Sequence, residues 1–194
     1  MKFYAKSSIW TKLLLWVFIV FIIAGLMKKA TPVREGFIQS ETFVLKEGTD
    51  VFDDFYASIY DDLVFSNVKN DFEIGEIITN VKTSSASRLL DIGAGAGHHV
   101  NLFAQKGIDA TGLDISPAMI ERAQKLYPDS QFMLGDALDF MLFPEQSFTH
   151  ITALYFTIYY IKDKLRFFQN CFDWLMPGGY LVIHLVNRDQ FDPI

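Results

Sequence analysis

Arg-Leu-Leu-Asp-Ile-Gly-Ala-Gly-Ala-Gly, residues 88–97, is the stretch whose reading decides the fold. Arg88, Leu89, Leu90 and Ile92 read as a short buried strand, and the glycines at 93, 95 and 97 read as a tight turn. A helical pattern begins directly after them. Glycine lacks a Cβ, so its backbone can turn through positive φ and approach a ligand closely. The first turn of the next helix presents unpaired N–H groups and a partial positive charge to whatever occupies the turn. These features describe a nucleotide-type cofactor pocket at the carboxyl end of the first strand of an α/β sheet.

Downstream, strands and helices alternate. The first helix after the turn carries Val100, Phe103 and Ala104 and stops at Gly107. Ala110 to Ile115 reads as a second strand, and Ser116-Pro117 opens the next helix with a capping residue and a proline at its first position. That helix carries Met119, Ile120, Ala123 and Leu126 and ends at Tyr127-Pro128. Gln131 to Leu134 is a third strand, followed by Gly135-Asp136 and a short helix. A fourth strand is expected from Phe148 to Tyr155 and a helix striped by Leu165, Phe168, Phe172 and Leu175 after it. Pro177-Gly178-Gly179 is expected to turn into a fifth strand, Tyr180 to Val186. Such alternation argues a doubly wound parallel sheet with right-handed crossovers and helices on both faces.

Upstream, residues 1–34 contain no acidic side chain, and Leu13 to Met27 is an unbroken apolar run. Lys2, Lys6 and Lys12 precede it, and Lys28, Lys29 and Arg34 follow. With Ile9 and Trp10 added and Lys12 snorkelling, the run reaches the ~20 residues that a ~30 Å hydrocarbon core requires. Leu26-Met27-Lys28-Lys29 is a poor site for signal cleavage, so an uncleaved single-pass membrane anchor over residues 9–27 is expected. Basic residues tie across the run, so they leave its orientation open. The expected division is an anchor over 1–29, a linker over 30–49 with apolar patches at Phe37-Ile38 and Phe43-Val44-Leu45 that pack on the domain, and the α/β domain over 50–194. That domain opens with a helix capped by Asp50 and striped by Phe52, Phe55, Tyr56, Ile59, Tyr60 and Leu63, then a second with Ile74, Ile77, Ile78 and Val81 on one face.

The net charge of −6 and the lack of a basic face argue against a nucleic-acid partner. Cys171 is the sole cysteine, which excludes an internal disulfide or a cysteine-zinc cluster and fits a reducing compartment. His98 and His99 have no acidic or cysteine partner at ligand spacing, so no metal site is expected.

The glycines at 93, 95 and 97 are one residue tighter than the dinucleotide fingerprint, and the Gly-Lys-Ser/Thr of a phosphate loop is absent. Asp114, at the end of the second strand, is placed to accept from ribose hydroxyls. Four segments together carry a more specific resemblance: Leu90-Asp91-Ile92-Gly93-Ala94-Gly95-Ala96-Gly97, Gly112-Leu113-Asp114-Ile115-Ser116, Gly135-Asp136-Ala137, and Leu175-Met176-Pro177-Gly178-Gly179-Tyr180. In that order they resemble the class I S-adenosylmethionine-dependent methyltransferases of the general, small-molecule type. The helix with Phe55-Tyr56 and Tyr60-Asp61 is similar to the leading helix that closes over the cofactor in that family.

The resemblance implies a Rossmann-like sheet in the order 3-2-1-4-5 and S-adenosyl-L-methionine as cofactor. It implies that Gly93, Ala94 and Gly95 hold the amino-acid end and that Asp91 faces its ammonium. Asp114 would take the ribose hydroxyls, Ile115 would lie against the adenine, and Asp136 with the Ala137 N–H would meet the adenine edge. Leu154 would line the methyl-donor end, and Tyr155, Tyr159, Tyr160 and His184 are candidates on the substrate side. His184, in strand five, reads as a possible base or as a buried structural histidine. No catalytic residue stands out. The aromatic cluster after the fourth strand suits an apolar or cationic acceptor, and the Asn/Asp-Pro-Pro-Tyr signature of base-amine methylation is absent. The family pattern continues with a helix and two more strands that this sequence lacks, so a short carboxyl end is expected, with the strand-five edge covered by another segment or a partner chain. The implied activity is methyl transfer to a small-molecule, lipid-like or membrane-associated acceptor on the cytoplasmic side. The alternative is a degenerate domain that binds cofactor or partner without turnover.

Overall fold

The computed structural model describes residues 8–30, 44–187 and 189–190. These fall into two compact units divided between Leu45 and Lys46. The first contains helix α1 (Ile9–Ala30), whose Ile9–Leu26 stretch is long and apolar enough to cross a membrane and has none of its side chains buried. Most of the expected linker lies outside the described residues. Val44 and Leu45, expected to pack, are exposed.

The second unit begins with a 3₁₀ turn over Gly48–Val51 and two helices, α2 (Asp54–Val64) and α3 (Asn67–Asn80). The cap of α2 is Asp53 rather than Asp50. Gly48 takes a positive φ to start the turn, and the Asp53 carboxylate accepts the Tyr56 N–H at 2.9 Å. Then follow β1 (Arg88–Ile92), α4 (His98–Gln105), β2 (Asp109–Asp114), α5 (Pro117–Leu126), β3 (Gln131–Leu134), a 3₁₀ turn at Phe140–Leu142, β4 (Phe148–Ala153), α6 (Thr157–Tyr160), α7 (Lys164–Trp174) and β5 (Leu175–Ile183). All strands are parallel, in the order β3-β2-β1-β4-β5, as expected. Strand alternation splits the core between two faces. Leu90, Ile92, Leu113 and Ile151 meet Phe167, Cys171 and Trp174 of α7 on one face. On the other, Leu89 and Ala110 meet Ile74 and Ile77 of α3 and Val100 and Phe103 of α4. Burial pushes the Cys171 thiol up to about 12, in keeping with a packed, inert cysteine.

Three expectations fail here. Strand β4 ends at Ala153, because Tyr155 turns into the left-handed region with φ +53°. Strand β5 starts directly at the end of α7, and Pro177-Gly178-Gly179 lies inside it as a bulge. Phe148 pairs with Leu175 but His150 pairs with Tyr180, and a Cβ on Gly179 would stand 2.8 Å from the Thr149 carbonyl oxygen. Helix α7 also buries the opposite face from the one expected. Phe167, Asn170, Cys171 and Trp174 are inside, while Leu165, Phe168 and Phe172 are 82, 43 and 75% exposed. Both stripes have helical spacing, and Trp174 outweighs the alternative by filling the space beside Phe143 and Phe148. Phe167→Ala is therefore expected to cost about 3–5 kcal/mol, whereas Phe172→Ser stays within about 0.5 kcal/mol. Urea unfolding of the two variants checks the assignment, and equal losses would reverse it.

Candidate active site

The glycine turn is tied to the end of β2. Gly93 and Ala94 donate their N–H groups to the Leu113 carbonyl oxygen at 2.8 and 3.1 Å, and Gly95 donates to Asp114 Oδ2 at 2.8 Å. Gly93 and Gly97 have φ of +74° and +82°. At each a side chain would also collide with a neighbour. A Cβ on Gly93 would collide with the Thr157 side chain, and one on Gly97 would stand 2.5 Å from the Phe132 ring. The turn thus requires glycine for both conformation and space.

Two carboxylates flank it. Asp91 is 2% exposed and accepts from the Thr152 hydroxyl at 2.6 Å, its register partner on β4. Burial pushes its carboxyl well above the ordinary range, outweighing the nearby His99 and the Thr152 hydrogen bond. Asp114, 9% exposed, accepts from the N–H groups of Gly95 and Ser116 at 2.8 Å each. Burial raises it too, against the pull of those N–H groups. A carboxylate offers about four lone-pair directions, so Asp114 keeps acceptor capacity for hydroxyls. Asp136 differs. It is exposed, and its Oδ1 accepts the Leu138 N–H at 2.9 Å, while Ala137 beside it is buried. Ile115 is 44% exposed beyond Asp114, an uncovered apolar side chain where a flat ring could lie.

Opposite the turn stand α2 and α3. The Tyr60 hydroxyl reaches over Gly95, at 3.4 Å from where a Cβ would be. Burial and the neighbouring Tyr56 and Asp114 push its phenol far up, so it stays a neutral donor. Tyr60, Val64, Phe65, Asn70, Ala94, His98, His99 and Tyr155 line a narrow cleft. His98 bridges Asp61 (2.7 Å) and the Tyr127 hydroxyl (2.6 Å), and Asp61 also accepts from Arg122 at 2.5 Å. Burial acts to raise Asp61, but the His98 and Arg122 hydrogen bonds prevail and hold it low. His99 pairs with Glu73 at 3.2 Å. Both histidines thus serve as braces between the leading helices and α4. Among the described residues no three His, Cys, Asp or Glu side chains gather at metal-binding range.

Of the substrate-side candidates, Tyr155 lines the cleft and Leu154 is buried just behind it. Tyr159 accepts the Val186 N–H at 3.0 Å, and the Tyr160 ring packs edge-on to Phe52 at 5.1 Å, so neither lines the cleft. His184 lies beyond β5 rather than in it. It is exposed, not buried, with its N–H donated to the Ala153 carbonyl at 3.1 Å and Nδ1 at 3.9 Å from Glu73. Asn70, Glu73 and Thr157 carry no signal of a site role in the sequence, and Tyr60 reads there as a core residue or a ligand on the leading helix. Tyr60 had a signal, since its spacing from Tyr56 fits a ligand-facing stripe as well as a core one.

Residues 90–183 match the methyltransferase domain family. The chain is 35% identical over 151 residues to the dTDP-4-amino-2,3,4,6-tetradeoxy-D-glucose N,N-dimethyltransferase of Saccharopolyspora spinosa, covering 74% of this chain and 59% of that one. It is 27% identical over 117 residues to the trans-aconitate 2-methyltransferase of Delftia acidovorans, covering 59% and 44%. This chain therefore spans less than two thirds of either relative. A crystal structure of a putative S-adenosyl-L-methionine-dependent methyltransferase from Methanococcus maripaludis superposes with a TM-score of 0.65 at 21% identity, over 74% of this chain and 67% of that one. The chain carries a class I S-adenosylmethionine-dependent methyltransferase domain. S-adenosyl-L-methionine is the cofactor of that family, and the site fits it. A buried carboxylate with one hydroxyl donor awaits a cation, a second keeps lone pairs for ribose hydroxyls, and the turn leaves no Cβ in the way.

The methyltransferase site should show a trade of stability for function. With its pKa raised, native Asp91 holds more protons than the unfolded chain between the ordinary carboxylate range and its own value. Its contribution to stability is thus greatest at low pH and is lost as pH rises through that window. Asp91→Asn keeps an acceptor for Thr152 and removes the buried charge. It is expected to raise the thermal midpoint at pH 7 by roughly 2–4 °C, on the order of 1 kcal/mol, while weakening cofactor binding. Calorimetric melting with and without S-adenosylmethionine measures both, and a lower midpoint would show that the charge is compensated.

Proposed function

We propose that this chain is a membrane-held methyltransferase that transfers the methyl group of S-adenosylmethionine to a small-molecule or membrane-associated acceptor on the cytoplasmic side. The single observation that carries the reading is the convergence of Asp91 and Asp114 on the Gly93–Gly97 turn, with Asp114 bonded to Gly95 at 2.8 Å. The bound cofactor supplies an electrophilic methyl group on a cationic sulfur. In this reading Gly93, Ala94 and Gly95 lie along its amino-acid end, Asp91 answers the ammonium charge, and Asp114 takes the ribose hydroxyls. Ile115 covers the adenine, whose edge meets the Asp136 carboxylate and the Ala137 N–H. Asp136 must give up part of its hold on Leu138 or use its second oxygen for this. Leu154 and Tyr155 face the methyl. Displacement at a methyl group depends on line-up more than on acid–base help, which suits a site walled by packed side chains.

The relatives' names describe an amino sugar and an organic acid as acceptors, which supports a small polar molecule here. The apolar helix α1 supports a membrane anchor over residues 9–27, and the cytosolic supply of the cofactor supports a domain on that side. Among the described residues β5 is an edge strand, so a further segment or a partner chain is expected along it. That open edge also favours the second reading, a domain that binds cofactor or partner without turnover.

Titration calorimetry of the full chain in detergent with S-adenosylmethionine is expected to show micromolar binding, and Asp114→Ala to weaken it at least about tenfold, or ~1.4 kcal/mol. A folded sample with no heat overturns the proposal. Methyl release in lysate fractions then separates enzyme from binder. Carbonate extraction and protease accessibility of tags at each end test the anchor, and a chain that washes off membranes removes it.

A further inference from the structure

One turn of α3 gathers charge around Tyr155. Lys69 Nζ sits over the Tyr155 ring, 3.2 Å from its centroid. Asn70, 2% exposed, accepts from the Tyr155 hydroxyl at 3.2 Å. Glu73, one turn beyond Lys69, pairs with His99 at 3.2 Å and stands 3.9 Å from His184 Nδ1. The ring itself contacts His99 and His184 at centroid distances of 5.7 and 6.3 Å. Its backbone is left-handed at φ +53°, a conformation a tyrosine keeps only when its surroundings impose it. Ring, hydroxyl and backbone are therefore all held, and the ring shares a cleft with Ala94 of the glycine turn.

The Tyr155 π face holds the ammonium, and the Glu73 carboxylate one turn along adds a favourable charge from farther off, which together favour a cation. Its present occupant belongs to the chain. Burial lowers the Lys69 pKa, although the Glu73 charge acts the other way. A lysine stem is long and rotatable enough to swing out toward water, unlike the rigid fork of an arginine.

We propose that the Tyr155 face, with Glu73 and Asn70, is the acceptor's ammonium subsite, which Lys69 fills until a small amine displaces it. The bound ammonium gives one proton to the Glu73 carboxylate, and only the nitrogen lone pair so freed takes the methyl group as the bond from methyl to sulfur breaks. The inference rests on the methyl-transfer reading and narrows its acceptor to an amine. A neutral acceptor of the same shape gains nothing from the ring and leaves the Lys69 contact intact, so the lysine acts as a charge filter.

The test uses the full chain in detergent at pH 7, saturated with S-adenosylhomocysteine, and two probes of one shape, cyclohexylammonium and cyclohexanol. NMR of ¹³C-labelled tyrosine rings reads Tyr155. The ammonium is expected to shift Tyr155 at concentrations at least about tenfold below the alcohol, and Lys69→Met to tighten the ammonium at least about fivefold. Glu73→Gln is expected to weaken it by a similar factor. If that variant fails to fold, the charge comparison and Lys69→Met decide alone. Equal responses to the two probes, or an ammonium affinity indifferent to Lys69→Met, overturn the subsite. Calorimetry with S-adenosylhomocysteine on the same samples keeps the two ideas apart. Retained cofactor binding without an ammonium response defeats only the subsite, whereas a folded chain that fails to bind the cofactor defeats the methyl-transfer reading.

Discussion

The Asp114 carboxylate holds the site together. It accepts N–H groups from Gly95 and Ser116 at 2.8 Å each, and so joins the glycine turn after β1 to the start of the helix after β2. The Ser116 hydroxyl in turn donates to the Phe52 carbonyl, which ties in the leading segment ahead of α2. Loss of this carboxylate would free three loops at once. Its raised pKa shows that the arrangement is held at a cost, and buried charge of this kind is common where a ligand completes the coordination.

The sheet explains why these groups meet. In a parallel sheet every carboxyl end lies on the same edge, so β1, β2 and β4 deliver Asp91, Asp114 and Leu154–Tyr155 to one rim. Asp91 and Thr152 are register partners, which places one hydroxyl donor on the buried carboxylate and leaves its other lone pairs open. The leading helices then close the rim from above, with His98 and His99 braced against Asp61 and Glu73. Glu73 shows how burial and pairing compete. Burial acts to raise it, yet the His99 hydrogen bond and the nearby Lys69 prevail and keep it ionised, available to a cation beside Tyr155.

The strand–helix alternation, the glycine turn and the Ser116-Pro117 helix start were legible from the sequence because each depends on local chemistry, while the strand order came with the family resemblance. A glycine with positive φ, a capping serine before proline and an acid at a strand end act within a few residues of their own position. Errors arose where two local readings had equal merit. Helix α7 carries two apolar stripes, and only the packing of Trp174 on Phe143, which in turn meets Phe148, chooses between them. Pro177-Gly178-Gly179 has the composition of a turn, but pairing with β4 absorbs it as a bulge. His184 reads as a strand residue in the sequence because the apolar pattern runs on to Val186, whereas β5 ends at Ile183.

The sequence by itself determined a doubly wound α/β domain with a glycine-lined turn, an acid at the end of each of the first two strands and an apolar helix ahead of them. These follow from periodicity, backbone permissiveness and charge, which need no distant partner. Only the tertiary structure decided which aromatic and polar side chains face the cleft. Tyr60, Asn70 and Tyr155 come from α2, α3 and the turn after β4. Their meeting depends on how the leading helices dock on the sheet edge, and that packing has no signature in any one segment.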